Sequence, residues 1–309
     1  MSSPAPEISQ RAEWVRRPER SNEAMLRLMT WISLRLGRAP ARFVLAGISL
    51  YFLLFTPAAR AASRAYLRRA LGREPRFADL VRHFHSFAST IHDRIFLLNA
   101  RFDLFRVEVQ GEDVIQDVLA AGRGAILMGA HMGSFEVVRA IGRRQPGLRV
   151  VMVMYEENAR KLNTALAAIN PAAVQDIIPL GQLDSMLRVQ ACLDEGMVLG
   201  VLGDRTLGVD PTLRVPFLGA DAEFPVGPMR LAAMLKRPVL FMSGLYLGGN
   251  RYAIHFERLA DFSNVERPGR DAAIQSAVAA YAACLERHCR AAPYNWFNFF
   301  DFWRTKDAG

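Results

Sequence analysis

The stretch Arg123-Gly-Ala-Ile-Leu-Met-Gly-Ala-His131-Met-Gly-Ser-Phe-Glu136 decides how the chain can fold. Its apolar run, 125–128, is typical of a buried strand and ends in small residues just before His131. Ser134 can cap a helix that begins at Phe135. Open α/β sheets place their chemistry where strands end, at the carboxyl edge of the sheet. The stretch therefore predicts a strand–turn–helix unit with His131 at a functional edge.

Glu136 lies in the first turn of that predicted helix, five residues after His131. The turn can bring the Glu136 carboxylate to the imidazole ring, and a His held by a carboxylate is the usual arrangement of a general base. The alternative is that His131 is an ordinary turn residue and that Glu136 only interacts with the helix dipole. This stretch alone leaves both interpretations open.

Strands and helices alternate through the following part of the chain. Apolar runs predict strands at 105–109, 125–128, 150–155, 177–180, 197–202, 239–247 and 252–259. Helices are predicted at 77–99, 114–121, 135–143, 159–169, 183–194, 228–235 and 271–290. Continuous apolar strands separated by helices favour a sheet that is covered on both faces. The expected fold class is α/β, with a mostly parallel central sheet flanked by helices and an N-terminal helical segment that anchors in the membrane.

The positive charge is concentrated at the N-terminus. The chain carries +9, and residues 1–80 contribute +8, from fourteen Arg against six Asp or Glu. Residues 1–20 are rich in Pro, Arg and Glu and are expected to be loosely ordered, whereas 22–36 predict a basic amphipathic helix. This pattern favours an anionic membrane surface or an acidic protein partner. We expect no nucleic-acid partner, because no nucleic-acid-binding motif is found.

Residues 43–59 form an uncharged apolar segment flanked by Arg on both sides. It is slightly shorter than the ~20 residues that span a bilayer. We expect a helix anchored in one leaflet, and we keep a full span and a buried core helix as alternatives. The chain then divides into a membrane-associated region, 1–100, and an α/β domain, 101–309.

The residues that often bind metals do not form a recognisable site. His83, His85 and His92 share one predicted helix, but no Cys or carboxylate joins them at a ligand spacing, since Asp93 points away from His92. The three cysteines form no C-x-x-C pair, which argues against a disulfide framework. No glycine-rich nucleotide-binding loop is present either. We expect no metal and no cofactor.

A second polar cluster, Gly203-Asp204-Arg205, follows the apolar strand at 197–202. Two strands that end in His131 and in Asp204 can converge on one crevice, where Arg205 offers a fork for phosphate or carboxylate. The alternative is an Asp–Arg pair that closes a loop. The segments 215–219 and 224–228 join apolar residues to rigid turns, and they can either wall an apolar channel or form an ordinary packed loop.

These pieces carry a resemblance to a known family. GAHMGSFE (129–136), LGDRTLG (202–208), VPFLG (215–219) and FPVGPMRLA (224–232), in this order, resemble the bacterial lipid A late acyltransferases, which are lysophospholipid-type acyltransferases with an H-x4-D/E motif. The resemblance extends from about residue 25 to 303. It implies transfer of a fatty acyl chain to a hydroxyl of a membrane lipid at the cytoplasmic face of the inner membrane. The implied donor is acyl carrier protein, with acyl-CoA as the alternative.

The resemblance also assigns roles to residues. His131 matches the family's general base and Glu136 its carboxylate partner, whereas Asp204 and Arg205 match a second polar block. Two places depart from the family pattern. Tyr155-Glu-Glu-Asn-Ala-Arg160 stands where members often have an Arg block, and Tyr294–Trp303 is unusually aromatic. The aromatic ending is similar to a divergent subgroup that we associate with aryl-polyene-type lipid pathways, so the acceptor lipid stays open.

The predicted chemistry is acyl transfer from a thioester to a hydroxyl, with His131 as the base. Ser134 is not in a G-x-S-x-G elbow, which argues against a serine hydrolase. Backbone N–H groups near Gly133 are the expected oxyanion donors. The candidate substrate-binding residues are Gly133, Ser134, Asp204, Arg205 and Arg160. Two alternatives are a binding module for lipid or carrier protein without turnover, and a lipid hydrolase.

Overall fold

The computed structural model describes residues 23–142, 148–173, 177–180, 183–206 and 211–303. Its centre is a seven-stranded sheet of β1 (Arg106–Gln110), β2 (Ala125–Gly129), β3 (Val150–Tyr155), β4 (Ile177–Leu180), β5 (Val198–Leu202), β8 (Pro238–Gly248) and β9 (Arg251–Asp261). The strand order in the sheet is β1-β9-β8-β2-β5-β3-β4. Strands β8, β2, β5, β3 and β4 run parallel, whereas β9 and β1 run in the opposite direction. The predicted α/β fold class is confirmed.

Helices cover both faces of this sheet. They are α1 (Glu23–Leu36), α2 (Arg38–Phe55), α3 (Pro57–Leu71), α4 (Phe77–Leu98), α5 (Glu112–Ala121), α6 (Phe135–Gly142), α7 (Glu156–Ile169), α8 (Leu183–Asp194), α9 (Gly227–Leu235) and α10 (Arg270–Ala291). Strand β2 is buried throughout. Ile126 and Met128 pack into the core on the side of α3 and α10, whereas Ala125 and Leu127 pack on the side of α4 to α6. This alternation explains why the central strands are apolar along their whole length.

The strand order places β2 beside β5 in the middle of the sheet. Ala125 pairs with Val198 and Gly129 with Leu202, so the two parallel strands end at the same level. The residues that follow them, His131 and Asp204, are therefore neighbours in space. The register of two apolar strands thus brings together the two side chains that follow them.

The apolar segment at 43–59 belongs to two helices, because α2 ends at Phe55 and α3 begins at Pro57. A proline fits the first turn of a helix but cannot continue the preceding one. On α2, Leu45, Ser49 and Leu53 form a buried stripe at four-residue spacing. Most of the remaining apolar side chains of α2 are exposed. Within the described ranges, α2 is also the one helix long and apolar enough to cross a membrane, by length and composition alone.

Two arginines at the start of α2 face the protein. Arg38 donates two hydrogen bonds of 2.7 Å to the Asp93 carboxylate of α4, and another to the Gly249 carbonyl oxygen in the β8–β9 turn. Arg42 donates to the same carbonyl and to the hydroxyl of Tyr246. The arginines that precede the apolar segment therefore bind the start of α2 to the protein. Since Asp93 is fully buried, its charge needs a fixed cation, and α2 supplies it.

The segments at 215–219 and 224–228 are not a loop. Thr212–Phe217 (β6) and Ala220–Pro225 (β7) form a separate antiparallel hairpin. Phe217 and Phe224 are fully buried in the core beside α10, which is the packed alternative of the two that the sequence left open. The basic arm at 1–20 lies outside the described residues, as do Leu207 and Gly208 of the second polar cluster.

Candidate active site

The turn that carries His131 lies against strand β8. The N–H of Ser134 donates to the carbonyl oxygen of Gly244 at 2.7 Å. At Gly133, where φ is +62°, a Cβ atom would lie 2.0 Å from that same oxygen. A Cβ on Gly244 would in turn lie 2.4 Å from the carbonyl oxygen of Ser134. Two glycines are therefore required for this close approach, which fixes the turn relative to the sheet.

The His131 ring is bonded to Asp204. The Nδ1 atom of His131 lies 2.8 Å from Asp204 Oδ1, and the backbone N–H of His131 donates to Oδ2 at 3.0 Å. Because a carboxylate only accepts, the proton of the neutral ring is on Nδ1, and Nε2 is left with its lone pair. About a third of the side chain, 30%, is exposed, whereas the Asp204 side chain is fully buried. His131 thus has the orientation and access of a general base.

Asp204 is satisfied by four hydrogen bonds. Besides the two from His131, its Oδ2 atom accepts from Trp296 Nε1 at 2.9 Å and from Asn298 Nδ2 at 2.9 Å. Burial alone raises the pKa of this carboxyl, but the charge and hydrogen bonds of His131 and the nearby Arg205 outweigh it and lower the pKa to about 2. Asp204 is therefore ionised across the physiological pH range and can stabilise a protonated His131.

The pKa of His131 is lowered from its usual value, first by desolvation of the ring and then by the charge of Arg205. Asp204 acts in the opposite direction, but the two lowering effects outweigh it. The lowered pKa favours a role as a base, because the His131 ring is neutral and able to accept a proton at neutral pH. Burial also lowers the pKa of Arg205 to about 10, partly offset by Asp204, so Arg205 remains a cation.

The Glu136 carboxylate does not lie beside His131. Its carboxylate lies 3.2 Å from Arg139 Nη1 and 3.8 Å from Arg94 Nε, in a mostly buried cluster between α6 and α4. The predicted contact between Glu136 and the His131 ring is therefore wrong, and the carboxylate that pairs with Nδ1 of the ring is that of Asp204. The physical reason is helical geometry: the first turn of α6 directs the side chain of Glu136 towards the arginines of α4 and α6.

The backbone N–H groups of Gly133 and Ser134 already have hydrogen-bond partners within the protein. The N–H of Gly133 donates to the carbonyl oxygen of Asn295 at 2.8 Å, and that of Ser134 donates to Gly244. These two N–H groups are therefore not free to bind an oxyanion, and the expectation is left to the other N–H groups at the start of α6. Gly133 and Ser134 instead position the turn, and Ser134 is buried there.

The two predicted substrate-binding arginines occupy very different environments. Arg205 is turned inward, where its Nε atom donates to Asn298 Oδ1 at 2.7 Å and its Nη2 atom to the carbonyl oxygen of Phe297 at 3.3 Å. Its guanidinium also lies over the ring of Phe300, 5.6 Å from the centroid. Arg160 is exposed on α7, which follows a different strand, β3. The structure joins Arg205 to the His131–Asp204 pair and leaves Arg160 at the surface.

Sequence reasoning missed the contribution of the C-terminal segment. Trp296 and Asn298 complete the surroundings of Asp204, although we had noted only that Tyr294–Trp303 is aromatic. The sequence Asn295-Trp-Phe-Asn298, in which two amides flank two aromatic rings, could have indicated this role. Amides in so apolar a run are expected to be buried, and buried amides need hydrogen-bond partners.

One group in the described ranges has ligand atoms close enough for a metal ion: Glu257, Cys284 and His288, between β9 and α10. Its carboxylate already pairs with His288 Nε2 at 2.6 Å and with Arg287 Nη2 at 2.5 Å. Burial, followed by the charge of Glu257, raises the pKa of the Cys284 thiol to about 12, so the thiol stays protonated. These contacts describe an ion pair beside a buried thiol.

An imidazole that is oriented by a buried carboxylate is suited to removing a proton from a hydroxyl. A search among curated proteins gave no match. The model of the bacterial lipid A biosynthesis acyltransferase family matches residues 16–305. This match covers nearly all of the 309 residues, including every strand of the sheet and both halves of the His131–Asp204 pair. The chain belongs to the bacterial lipid A biosynthesis acyltransferase family.

Proposed function

We propose that this acyltransferase moves a fatty acyl chain from a thioester to a hydroxyl of a membrane lipid, with His131 as the general base. The observation that carries the proposal is the 2.8 Å contact between His131 Nδ1 and the buried carboxylate of Asp204. It orients the ring and leaves the Nε2 lone pair for a hydroxyl proton. No protein nucleophile is needed.

The proposed reaction begins when Nε2 removes the hydroxyl proton as the oxygen attacks the thioester carbonyl. Asp204 stabilises the imidazolium that forms, as the carboxylate does in Ser-His-Asp sites. The tetrahedral intermediate then collapses, the C–S bond breaks, and the thiolate takes the proton from Nε2. The products are an acylated lipid and a free thiol, and His131 is again neutral.

Glu136 then has a supporting role in place of the one we expected from the sequence. Its carboxylate neutralises a cluster with Arg94 and Arg139 at the start of α6. That helix follows directly after the His131 turn, so Glu136 acts on the base through the position of the backbone. Asp204 is the residue that touches the ring.

The exposed face of α2 supports binding to a membrane surface. Large apolar side chains project from it, among them Phe43 (86% exposed) and Phe55 (64% exposed). Its opposite face is packed on α4, and its first turn is bonded to Asp93, so one side of the helix is committed to the protein. We propose that α2 lies along one leaflet without crossing it, within a membrane-associated region, 1–100, that precedes the α/β domain, 101–309.

The proposed donor is acyl carrier protein, with acyl-CoA as the comparison, and the proposed location is the cytoplasmic face of the inner membrane. Acyl carrier proteins are acidic, and residues 1–80 carry a balance of +8. The same positive charge favours an anionic membrane surface. The proposed acceptor is a lipid A precursor or a related membrane lipid with a free hydroxyl.

The test is an acyl-transfer assay with the purified full chain in vesicles, with acyl carrier protein or CoA loaded with a labelled fatty acid. We expect mass spectrometry to find one added acyl group on the lipid with the wild type and none with His131→Ala. Both proteins should float equally with the vesicles. Near-normal transfer by His131→Ala would overturn the mechanism.

The same assay separates the two alternatives that the sequence left open. A lipid hydrolase would release free fatty acid without an acylated product. A binding module would retain the acyl carrier protein on vesicles without consuming its acyl group. Either outcome would overturn the proposed transfer reaction.

A further inference from the structure

The C-terminal segment 295–298 forms one wall of the site. It runs beside the His131 turn as an irregular strand, in which Phe297 N–H donates to the carbonyl oxygen of His131 at 2.7 Å, while Asn295 accepts from Gly133. Met132 and Trp296 form an isolated antiparallel bridge. The segment is thus attached to the turn through its backbone, which places its side chains at fixed positions around Asp204.

Asn298 occupies the space between two buried opposite charges. Its Nδ2 atom donates to Asp204 Oδ2 at 2.9 Å, and its Oδ1 atom accepts from Arg205 Nε at 2.7 Å. The amide has only one orientation that satisfies both neighbours, because a guanidinium only donates and an ionised carboxylate only accepts. Asn298 itself is 1% exposed, so water does not compete for these bonds.

The amide matters because Asp204 and Arg205 are adjacent in sequence and opposite in charge. A direct pair between them would take the carboxylate charge that stabilises a protonated His131. Among the described contacts, the guanidinium is instead held by Asn298 Oδ1 and the Phe297 carbonyl oxygen of this segment, and by the Phe300 ring that follows it. The segment therefore binds Arg205, so that the Asp204 carboxylate pairs with the His131 imidazole.

We propose that Asn298 is a positioning residue, which keeps Arg205 away from Asp204 so that the carboxylate serves His131. This inference rests on the proposed function for its catalytic meaning, but its electrostatic part can be measured without any substrate. It predicts that the pKa of His131 depends on the chemistry of residue 298, in a direction set by charge.

Two substitutions of similar size should move that pKa in opposite directions. Asn298→Leu removes the acceptor for Arg205, which then turns towards Asp204, and the pKa of His131 falls. Asn298→Asp retains the acceptor and adds negative charge near the ring, and the pKa of His131 rises. Each shift should be about one pH unit, the usual effect of a charge within a few ångströms. A residue with only a packing role would not produce opposite signs.

The measurement is an NMR titration of ¹³C,¹⁵N-histidine-labelled full chain in detergent, with the His131 signal assigned by its loss in His131→Gln. Asn170→Leu is the matched control. The amide of Asn170 also joins two partners, the carbonyl oxygen of Leu98 and the N–H of Ala172, but on a different part of the molecule. It should lower stability without moving the pKa of His131.

If Asn298→Leu folds poorly at low pH, Asn298→Asp alone still tests the inference through the direction of its shift. A double variant tests the part played by Arg205. With Arg205→Met the cation is gone, so adding Asn298→Leu should no longer lower the pKa of His131. The inference is overturned if Asn298→Leu and Asn298→Asp shift the pKa in the same direction or not at all, or if the shift persists without Arg205. An inactive wild type with the expected shifts would instead reject only the acyl-transfer function.

Discussion

At the scale of single residues, the site is a histidine that depends on a carboxylate 73 positions away in sequence. Asp204 accepts four hydrogen bonds, and because these compensate for the loss of water, its charge can be buried. Glu136 is closer to His131 in sequence, but its carboxylate pairs with Arg139. The two carboxylates can therefore be distinguished by experiment.

We expect Asp204→Asn to lower kcat about a thousandfold or more, because the amide favours the wrong tautomer of His131 and cannot stabilise the imidazolium. Glu136→Gln should lower kcat much less, since it keeps the shape of the side chain and does not touch the ring. Initial rates with labelled thioester check both. Equal losses in the two variants would show that Glu136 also acts at the ring.

The residue scale also explains why His131 could be predicted as the base, whereas Asp204 was predicted as a substrate-binding residue and not as the partner of the ring. A His after a buried strand is visible in sequence, and the H-x4-E spacing made Glu136 the obvious candidate. The choice of Asp204 depends on the pairing of β2 with β5, which is a long-range contact. No local pattern shows that Trp296 and Asn298 direct their donors at the same oxygen.

At the scale of elements, α2 has two different faces. One face carries the stripe that packs on α4, and the other carries the exposed apolar side chains. Length and composition alone could not separate a spanning helix from an interfacial one. Arg38 and Arg42 hold the first turn of α2 against the β8–β9 turn, and this contact is the basis for proposing an interfacial helix.

We expect the triple change Phe43→Ser, Tyr51→Ser and Phe55→Ser to move the protein from the membrane fraction to the soluble fraction, because it removes apolar area only from the side of α2 that we propose to face lipid. The melting temperature should change little. Vesicle flotation and thermal unfolding check this. Leu187→Ser, at an equally exposed apolar position on α8, is the control and should still float.

The strands and helices of the sheet were largely predicted from periodicity, because buried strands and amphipathic helices leave strong patterns. The hairpin of β6 and β7 was missed. Its sequence, with Pro216 and Pro225 among mixed residues, lacks a clear two-residue alternation. Contacts with α10 define it, among them the hydrogen bond from Leu218 N–H to Glu286 Oε2 at 2.6 Å.

At the scale of the whole molecule, a buried histidine links the helical part to the site. His83 of α4 contacts Ser63 Oγ through Nδ1 and the carbonyl oxygen of Trp296 through Nε2, both at 2.8 Å. Burial lowers its pKa from 6.5 to about 4, although the Trp296 carbonyl acts in the opposite direction. The folded state therefore requires neutral His83, whereas the unfolded chain accepts a proton below pH 6.5.

The lowered pKa of His83 predicts that acid destabilises the folded protein. As the pH falls from 6.5 towards 4, the unfolded state gains a proton that the folded state does not, and the free energy of unfolding falls by about 2 kcal/mol at pH 5 from this group. His83→Gln keeps a donor and an acceptor but does not titrate, so its stability should vary less between pH 7 and 5. Urea unfolding in detergent at both pH values measures the difference. An unchanged pH dependence would contradict the prediction.

The Arg38–Asp93 pair has a practical consequence for work on this enzyme. Cutting the chain after α2 would remove Arg38 and Arg42 from Asp93 and would uncover the face of α4 on which α2 packs, so we expect the truncated chain to be less stable. A different helix in place of α2 would have the same effect unless it kept both arginines. Changes that test membrane binding therefore belong on the outer face of α2, with its first turn kept intact.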